Sequence, residues 1–285
     1  MLADVIRSDL NEDGSPMIDS CNKGWPMRPM TSPLRPFFSF FDSKWRLAPR
    51  YPSPRYSTIV ESFAGGAGYS LHYPDREVIL CDVDPVIAAI WQYLIRVTPK
   101  EILAIPDLMP DQTVDDLKIS QEARMLVGFW TIRGASSPRK NPSSWMRSGI
   151  RPNGFWGGWA KRIISMQVSK IKHWRIYNCS YQDCLVSTDA TWFVDPPYQG
   201  IMGHYYRFNS KQIDYAALGQ WCASRPGQVI ACETEGATWL PFQRFAEVRT
   251  FCGGRRSQEM VWHSLDGEVK DHRPAPEVKQ LELEI

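Results

Sequence analysis

The chain has 285 residues, and its 33 lysines and arginines nearly balance 31 aspartates and glutamates, for a formal net charge of +2. That length suffices for one large domain or two modest ones with a real hydrophobic core. No stretch approaches the roughly 18 consecutive apolar residues of a transmembrane helix. The N-terminus lacks the pattern of a secretory signal. We therefore expect a cytoplasmic protein without a membrane partner.

The seven cysteines and five histidines show no spacing typical of a metal site. An odd number of cysteines without a Cys-x-x-Cys pair favours reduced thiols over a disulfide framework. We accordingly predict reduced cysteines and no metal ion.

The first predicted elements belong to an α/β pattern. Residues 1–34 are rich in acidic residues, glycine and proline and are expected to form a disordered tail. Buried-strand patterns follow at 57–63 and 77–82, and Pro85 can open a helix whose apolar residues continue to Ile95.

The second half of the chain repeats this alternation. Helical patterns cover 121–130 and 159–173, and strand patterns cover 174–178, 191–195, 228–232 and 259–262. Strands that alternate with helices predict a mostly parallel sheet. Residues 265–285 are expected to form a loose tail.

A basic segment, residues 123–181, interrupts the pattern. It contains eleven lysines and arginines, no aspartate or glutamate, and nine aromatic residues. The remainder of the chain carries 22 basic against 31 acidic residues. Basic residues interleaved with aromatics suit a nucleic acid, although a solvated surface with a tryptophan core is an open alternative.

Two strand patterns end in residues suited to a nucleotide-like ligand. The first runs into the glycine turn, residues 61–68, where the backbone can approach a ligand closely. The second ends at Asp82, whose carboxylate can bind the ribose hydroxyls of an adenosine-containing cofactor. The alternative role, a helix N-cap before Pro85, suits Asp84 better than it suits Asp82.

The sharpest signal is the DPPY turn, residues 195–198, directly after a buried-strand pattern. Pro196 and Pro197 remove two backbone donors and stiffen the turn. The Asp195 carboxylate and the Pro196 carbonyl can accept both hydrogens of an exocyclic amino group. Tyr198 offers a flat face for a base drawn out of its stack. We predict a catalytic role for Asp195, Pro196, Pro197 and Tyr198.

With this turn the chain resembles the Dam-like adenine-N6 DNA methyltransferases, from about residue 37 to residue 262. The resemblance implies an α/β fold: a Rossmann-like methyltransferase sheet, residues 35–97 and 173–264, with an inserted, mainly helical target-recognition domain, residues 98–172. It also implies S-adenosylmethionine as methyl donor, double-stranded DNA as partner, and a monomeric enzyme.

The family's cofactor motifs transfer residue by residue. They comprise an aromatic–x–x–Gly/Ser–Lys motif, an E-P-F-x-G-x-G turn, a D-I-N-P motif, an acidic position after the insertion, and D-P-P-Y. The resemblance thus implies cofactor contacts by Phe40, Lys44, Glu61, Phe63, Gly65, Ala67, Asp82, Asp183 and Asp195.

Three residues depart from these motifs. Asp42 stands where relatives usually have glycine, Ser62 replaces the usual proline, and Ala67 replaces the second glycine. A methyl group at Ala67 is tolerated if its φ is negative. These departures bear on cofactor affinity rather than on the fold.

The resemblance implies direct methyl transfer to N6 of a flipped adenine, with Asp195 stabilising charge and without a covalent intermediate. No Pro-Cys pair is present for a cytosine carbon-5 mechanism. Cytosine N4, RNA, or a catalytically silent DNA-binding homologue are the alternatives.

The insertion would read the DNA. We expect Trp130 and Trp174 in the core, and Trp145, Phe155 and Trp156 to touch DNA or fill the gap left by the flipped base. The cations in its loop-like part are expected to bind phosphates or guanine, namely Arg133, Arg139, Lys140, Arg147 and Arg151.

Overall fold

The computed structural model describes residues 32–149, 154–184, 186, 189–249 and 256–264. Within these ranges the chain forms a seven-stranded sheet of order β3-β2-β1-β4-β5-β7-β6. The strands are β1 (Thr58–Glu61), β2 (Glu77–Asp82), β3 (Arg175–Asn178), β4 (Ala190–Val194), β5 (Gly227–Thr234), β6 (Gln243–Arg249) and β7 (Arg256–His263).

The first five strands run parallel, and β7 runs antiparallel to both β5 and β6. The strand order reverses between β1 and β4, which pair side by side. In such sheets ligands bind beyond the carboxyl ends of the strands at this reversal. The topology confirms the predicted Rossmann-like methyltransferase sheet.

Six α-helices accompany the sheet in the described ranges. Asp84 caps α1 by accepting a hydrogen bond from Val86 N at 2.9 Å, and Pro85 occupies its first turn. The helices are α1 (Pro85–Arg96), α2 (Pro99–Ala104), α3 (Gln121–Phe129), α4 (Ser144–Arg147), α5 (Gly158–Gln167) and α6 (Tyr215–Ala223).

The insertion is mainly helical, as predicted, because α2 to α5 all lie between α1 and β3. Ile102, Leu126 and Ile164 from these helices belong to the same apolar cluster as Ile59 of β1 and Leu80 of β2. The insertion and one face of the sheet therefore share one core. Trp130 and Trp174 are buried, which confirms the prediction that these two tryptophans are core residues.

Several element boundaries differ from the predictions. The helix predicted to reach residue 173 ends at Gln167 and continues as a tighter 3-10 turn, Val168–Ile171. Residues three apart eclipse in a 3-10 turn, so Val168 and Ile171 both enter the core. The stretch predicted as a loop contains α4, and α2, α6 and β6 had no sequence prediction.

The predicted tails fall almost entirely outside the described residues, which omit 1–31 and 265–285. Leu34, assigned to the N-terminal tail, is instead packed in the core. Its side chain is buried, and its carbonyl accepts a hydrogen bond from Trp45 Nε1 at 2.6 Å. The ordered part of the chain thus begins before residue 35.

The prediction of reduced cysteines is wrong for one pair. A disulfide joins Cys81 at the end of β2 to Cys184, with 6.4 Å between their Cα atoms. The two residues are 103 positions apart in sequence, and the fold brings their buried side chains together. In the described ranges Cys179, Cys222 and Cys232 are free thiols.

Candidate functional site

A cavity of about 220 Å³ opens at the carboxyl ends of β1, β2 and β4. Its wall combines the segment before β1, the glycine turn, the start of the DPPY turn and the loop that follows it. The predicted cofactor residues that line it are Phe40, Lys44, Glu61, Phe63, Gly65, Asp82 and Asp195.

The remaining residues predicted to bind the cofactor or to act in catalysis, except Pro197, do not line this cavity. Ala67 and Tyr198 are buried behind the wall. Asp183 is exposed and accepts a hydrogen bond from Ser180 Oγ at 2.8 Å, whereas its neighbours Tyr181 and Gln182 line the cavity. Pro196 is also outside the lining, although Pro197 is part of it.

The glycine turn is tied to Asp82. One carboxylate oxygen of Asp82 accepts a hydrogen bond from Gly65 N at 2.9 Å, and the other accepts one from Asp84 N at 2.9 Å. Burial raises the pKa of Asp82 to about 6, against the lowering effect of these two hydrogen bonds. The carboxylate is thus fixed at the edge of the cavity.

Gly68 allows the segment before β1 to lie directly on this turn. A Cβ atom at Gly68 would stand 2.6 Å from Trp45 N and 2.9 Å from Lys44 N. Backbone atoms cannot step aside as a flexible side chain does. A glycine is therefore required here if Lys44 is to reach the cavity.

The two non-glycine residues with positive φ in the described ranges are Asp42, at 52°, and Ala67, at 50°. The negative φ that a methyl group at Ala67 requires is therefore not present. The resembling family usually has glycine at both positions, so this chain keeps the backbone conformation although the glycine is replaced. Left-handed backbone costs an L-residue about 1–2 kcal/mol.

Lys44 is the centre of a buried charge cluster. Its Nζ lies 3.0 Å from Asp42 Oδ2, 3.3 Å from Asp195 Oδ1 and 3.9 Å from Glu259 Oε1, and 4.6 Å from the centre of the Tyr198 ring. Burial opposes the charged form, but the three carboxylates together raise the pKa of Lys44 well above its ordinary value. Lys44 therefore remains protonated.

Glu259 of β7 is a member of this cluster that the sequence reasoning missed. Its Oε1 accepts hydrogen bonds from Tyr198 Oη at 2.6 Å and Tyr51 Oη at 2.7 Å. The available signal was the position of Glu259 at the start of the strand pattern 259–262, since an acid that is buried in a sheet needs partners.

Two acids of the site are hard to ionise. Burial raises the pKa of Asp195 to about 7, with Lys44 acting against it and Asp42 adding to it. Burial raises the pKa of Glu61 to about 8, although its Oε1 accepts a hydrogen bond from Ser70 N at 2.7 Å. Perturbed acids of this kind are frequent at functional sites.

Among the residues that line the cavity, two have buried hydroxyl groups without a hydrogen bond in the described part of the chain, namely Ser43 Oγ and Ser62 Oγ. Asp195 Oδ1 is buried as well and pairs with Lys44 Nζ at 3.3 Å. Buried polar groups are normally satisfied, and each exception needs an explanation. These atoms together with the Asp82 carboxylate suit a ligand with both donor and acceptor groups, as S-adenosylmethionine has.

The loop after the DPPY turn contributes a wall that the sequence analysis did not assign. Tyr206 and Arg207 both line the cavity. Arg207 Nη1 lies 3.6 Å from Asp84 Oδ1, and the Tyr206 ring lies 5.6 Å from the Phe41 ring. This loop spans the cavity from the DPPY side to the start of α1.

The residues predicted to bind DNA lie on the surface of the insertion, with Arg151 outside the described residues. Lys140 pairs with Asp115 at 2.6 Å. Arg147 ends helix α4 rather than lying in a loop, because Ser143 caps that helix. The four of these predicted residues that the structure describes are all exposed, namely Arg133, Arg139, Lys140 and Arg147.

The aromatic side chains predicted to touch DNA divide into two groups. Trp145 is 62% exposed. Phe155 and Trp156 are buried, contrary to the prediction, because Trp156 Nε1 donates a hydrogen bond to Pro106 O and Phe155 lies under Arg133. Trp145 alone of these three is available to a partner.

No protein-family model and no curated protein matches the chain. Among solved structures it is similar to a conserved hypothetical protein from Streptococcus pyogenes, with 12% identity, 76% of this chain and 91% of that chain covered, and a TM-score of 0.31. It is also similar to one titled "Putative methyltransferase yhhF from Escherichia coli", with 10% identity, 72% and 74% covered, and a TM-score of 0.30.

In the described part of the chain, no group of three or more histidine, cysteine, aspartate or glutamate side chains is placed to hold a metal ion. None of the helices in that part of the chain is both long and apolar enough to span a bilayer.

Proposed function

We propose that the protein is an S-adenosylmethionine-dependent methyltransferase that acts on N6 of adenine in double-stranded DNA. The observation that carries this proposal is the cavity at the strand-order reversal, where Asp195 of the DPPY turn and Asp82 line one wall. Asp195, whose Oδ1 forms an ion pair with Lys44 Nζ at 3.3 Å, lines the same cavity as Ser43 and Ser62, whose hydroxyl groups have no hydrogen-bond partner in the described residues.

The cofactor-binding role falls to the glycine turn and Asp82. The fixed carboxylate of Asp82 would accept hydrogen bonds from the ribose hydroxyls. Phe63, stacked on Tyr181 at 5.5 Å between ring centres, provides an apolar wall beside it. When bound, S-adenosylmethionine supplies an electrophilic methyl group.

The acceptor-binding role falls to the DPPY turn. Ionised Asp195 would accept a hydrogen from the amino group and stabilise positive charge that develops on the nitrogen. Lys44 at 3.3 Å favours the ionised form of Asp195. Holding the amino group in line would supply much of the rate acceleration.

DNA is proposed as the partner because exposed cations lie on the insertion, including Arg139 and Arg147. Phosphate contacts by such residues give affinity without sequence preference. The exposed Trp145 offers a stacking surface on the same region.

The test is transfer of labelled methyl groups to duplex DNA, followed by digestion and identification of the modified nucleoside. We expect N6-methyladenine with the wild-type protein. The Asp195→Ala variant should lose transfer by a factor of about 1,000 or more while retaining DNA affinity, if charge stabilisation is the main contribution. Undiminished transfer by this variant contradicts the role of Asp195, and N4-methylcytosine or modified RNA would replace the substrate assignment.

A second candidate is a catalytically silent DNA-binding homologue. The positive φ values of Asp42 and Ala67 favour it, because both replace glycine beside the cavity. This candidate predicts DNA binding without S-adenosylmethionine binding. The same preparation can therefore decide between the two functions.

A further inference from the structure

We propose that Glu259 of β7 is a positioning residue for the DPPY turn, which holds Tyr198 by its hydroxyl group and sets the charge balance around Asp195. This inference rests on the proposed function for its catalytic meaning. Its structural basis is independent of the identity of the methyl acceptor.

The contacts of Glu259 point almost entirely to the site. Its side chain is 5% exposed, and Oε1 accepts from Tyr198 Oη at 2.6 Å and Tyr51 Oη at 2.7 Å, with Lys44 Nζ at 3.9 Å. A buried carboxylate is costly unless charged or hydrogen-bonding partners surround it. Two of these three partners, Tyr198 and Lys44, belong to the predicted site.

The anchored hydroxyl fixes the Tyr198 ring. The centre of the Tyr198 ring lies 4.6 Å from Lys44 Nζ, and the Tyr198 hydroxyl donates a hydrogen bond to Glu259 of β7. Because its hydroxyl group and one ring face are both in contact, the buried Tyr198 ring has one orientation, and it holds the end of the DPPY turn in place behind the cavity wall. Asp195 at the start of this turn benefits from that support, because a small displacement of a reacting group costs much of its rate acceleration.

Glu259 also competes with Asp195 for Lys44. Lys44 Nζ lies between Asp195 Oδ1 at 3.3 Å and Glu259 Oε1 at 3.9 Å. If the Glu259 charge is removed, a like charge near Asp195 disappears and Lys44 is shared with one acid fewer. Both effects favour ionised Asp195, so its pKa should fall.

Titratable groups from several elements surround Asp195. In the described ranges, Lys44 is the one basic residue among these groups. The group comprises Asp42 and Lys44 before β1, Tyr51, Glu61 of β1, Tyr198, Tyr206, Cys232 of β5 and Glu259 of β7. Glu259 is the acid among them that also holds the DPPY turn.

The first test measures Asp195 directly by NMR of protein labelled with ¹³Cγ-aspartate, with Asp195→Asn used to assign its signal. In Glu259→Gln the titration midpoint of Asp195 should move to lower pH. The matched control is Glu247→Gln on β6, whose carboxylate is 53% exposed and pairs with Arg256 at 2.7 Å, and it should leave the midpoint unchanged. An unmoved midpoint in Glu259→Gln overturns the inference.

The second test uses the methyl-transfer rate. In Glu259→Gln the acidic limb of kcat/KM against pH should move to lower pH, as the Asp195 midpoint does. In Tyr198→Phe, kcat should fall about tenfold because one charge-assisted hydrogen bond is lost, whereas KM for S-adenosylmethionine stays unchanged.

These measurements separate the two proposals. If the wild-type protein transfers no methyl group, the proposed function fails, and the NMR midpoint still decides the role of Glu259. If Glu259→Gln does not fold, Tyr198→Phe tests the same contact from the other side. A folded Tyr198→Phe variant with unchanged kcat would then overturn the inference.

Discussion

At the scale of single residues, the site is organised by a shortage of positive charge. Three carboxylates, those of Asp42, Asp195 and Glu259, lie within 3.9 Å of Lys44 Nζ. In the described ranges Lys44 is the one basic residue of this cluster. The sequence motif predicted Lys44 and Asp195 separately. It could not predict their direct contact or the role of Glu259, because those depend on how β7 enters the sheet.

Glu61 gives a prediction for the pH dependence of stability. Its pKa rises from 4.5 to about 8 on folding, mainly through burial. Between these two values the folded state binds more protons than the unfolded state, so this group makes stability fall as pH rises. Glu61→Gln should therefore gain stability relative to the wild-type protein from about pH 5 to about pH 8, by more than about 1 kcal/mol.

Chemical denaturation of both proteins at several pH values measures this difference. Gln keeps an oxygen that can accept the hydrogen bond from Ser70 N. A difference in unfolding free energy that stays constant over the range would show that Glu61 does not titrate there.

At the scale of elements, the central strands and their ends were largely predictable, whereas the edge strand β6 and the disulfide were not. The β2 range was predicted to the residue, and Pro85 and Asp84 marked the start of α1. Strand β6 was not predicted because it lies at the edge of the sheet beside β7, where exposed residues such as Arg244 and Glu247 interrupt the apolar pattern. The disulfide was not predicted because the spacing of cysteines along the chain does not show which residues 103 positions apart meet in the fold.

The contact between the glycine turn and the segment before β1 predicts the effect of Gly68→Ala. The new Cβ would stand 2.6 Å from Trp45 N, so the backbone carrying Lys44 must move. We expect a loss of about 1–3 kcal/mol in stability and weaker S-adenosylmethionine binding. Gly158→Ala, where no atom lies within 4 Å of the new Cβ, is the control. Equal stability of the two variants would contradict the close approach.

The Cys81–Cys184 disulfide predicts sensitivity to reductants. Closing a loop of this length stabilises a protein by about 4.7 kcal/mol in the chain-entropy description. Dithiothreitol should lower the Tm of the wild-type protein and leave Cys184→Ala unaffected, with Cys179→Ala behaving as the wild type. Mass spectrometry of peptides prepared without reductant measures the bond itself, and free thiols at both positions would contradict it.

At the scale of the whole molecule, the net charge of +2 conceals a segregated surface. The sequence pattern assigned eleven cations to the basic segment, but Lys140 and Lys161 pair with Asp115 and Asp107 just outside it. Arg175 lies 3.7 Å from Glu77 of the neighbouring strand. The segment is therefore less basic in space than in sequence, and the exposed arginines of the insertion remain its main cations.

These arginines predict the salt dependence of DNA binding. Arg139→Ala and Arg147→Ala should each weaken binding similarly for different DNA sequences and reduce the slope of log K against log salt by about 0.9. Arg244→Ala on β6, which pairs with Glu235 at 2.7 Å, should leave the slope unchanged. Titration of fluorescent duplex DNA at several salt concentrations measures these slopes. If both insertion variants keep the slope of the wild-type protein, DNA binds at another surface.

Calorimetry of the purified protein tests whether the cavity at the carboxyl ends of β1, β2 and β4 binds S-adenosylmethionine, as we propose. We expect one site per chain, at least tenfold weaker binding in Asp82→Asn, and unchanged binding in the exposed control Glu235→Gln. Heats that show no binding to the wild-type protein, or equal affinity in Asp82→Asn, would contradict it.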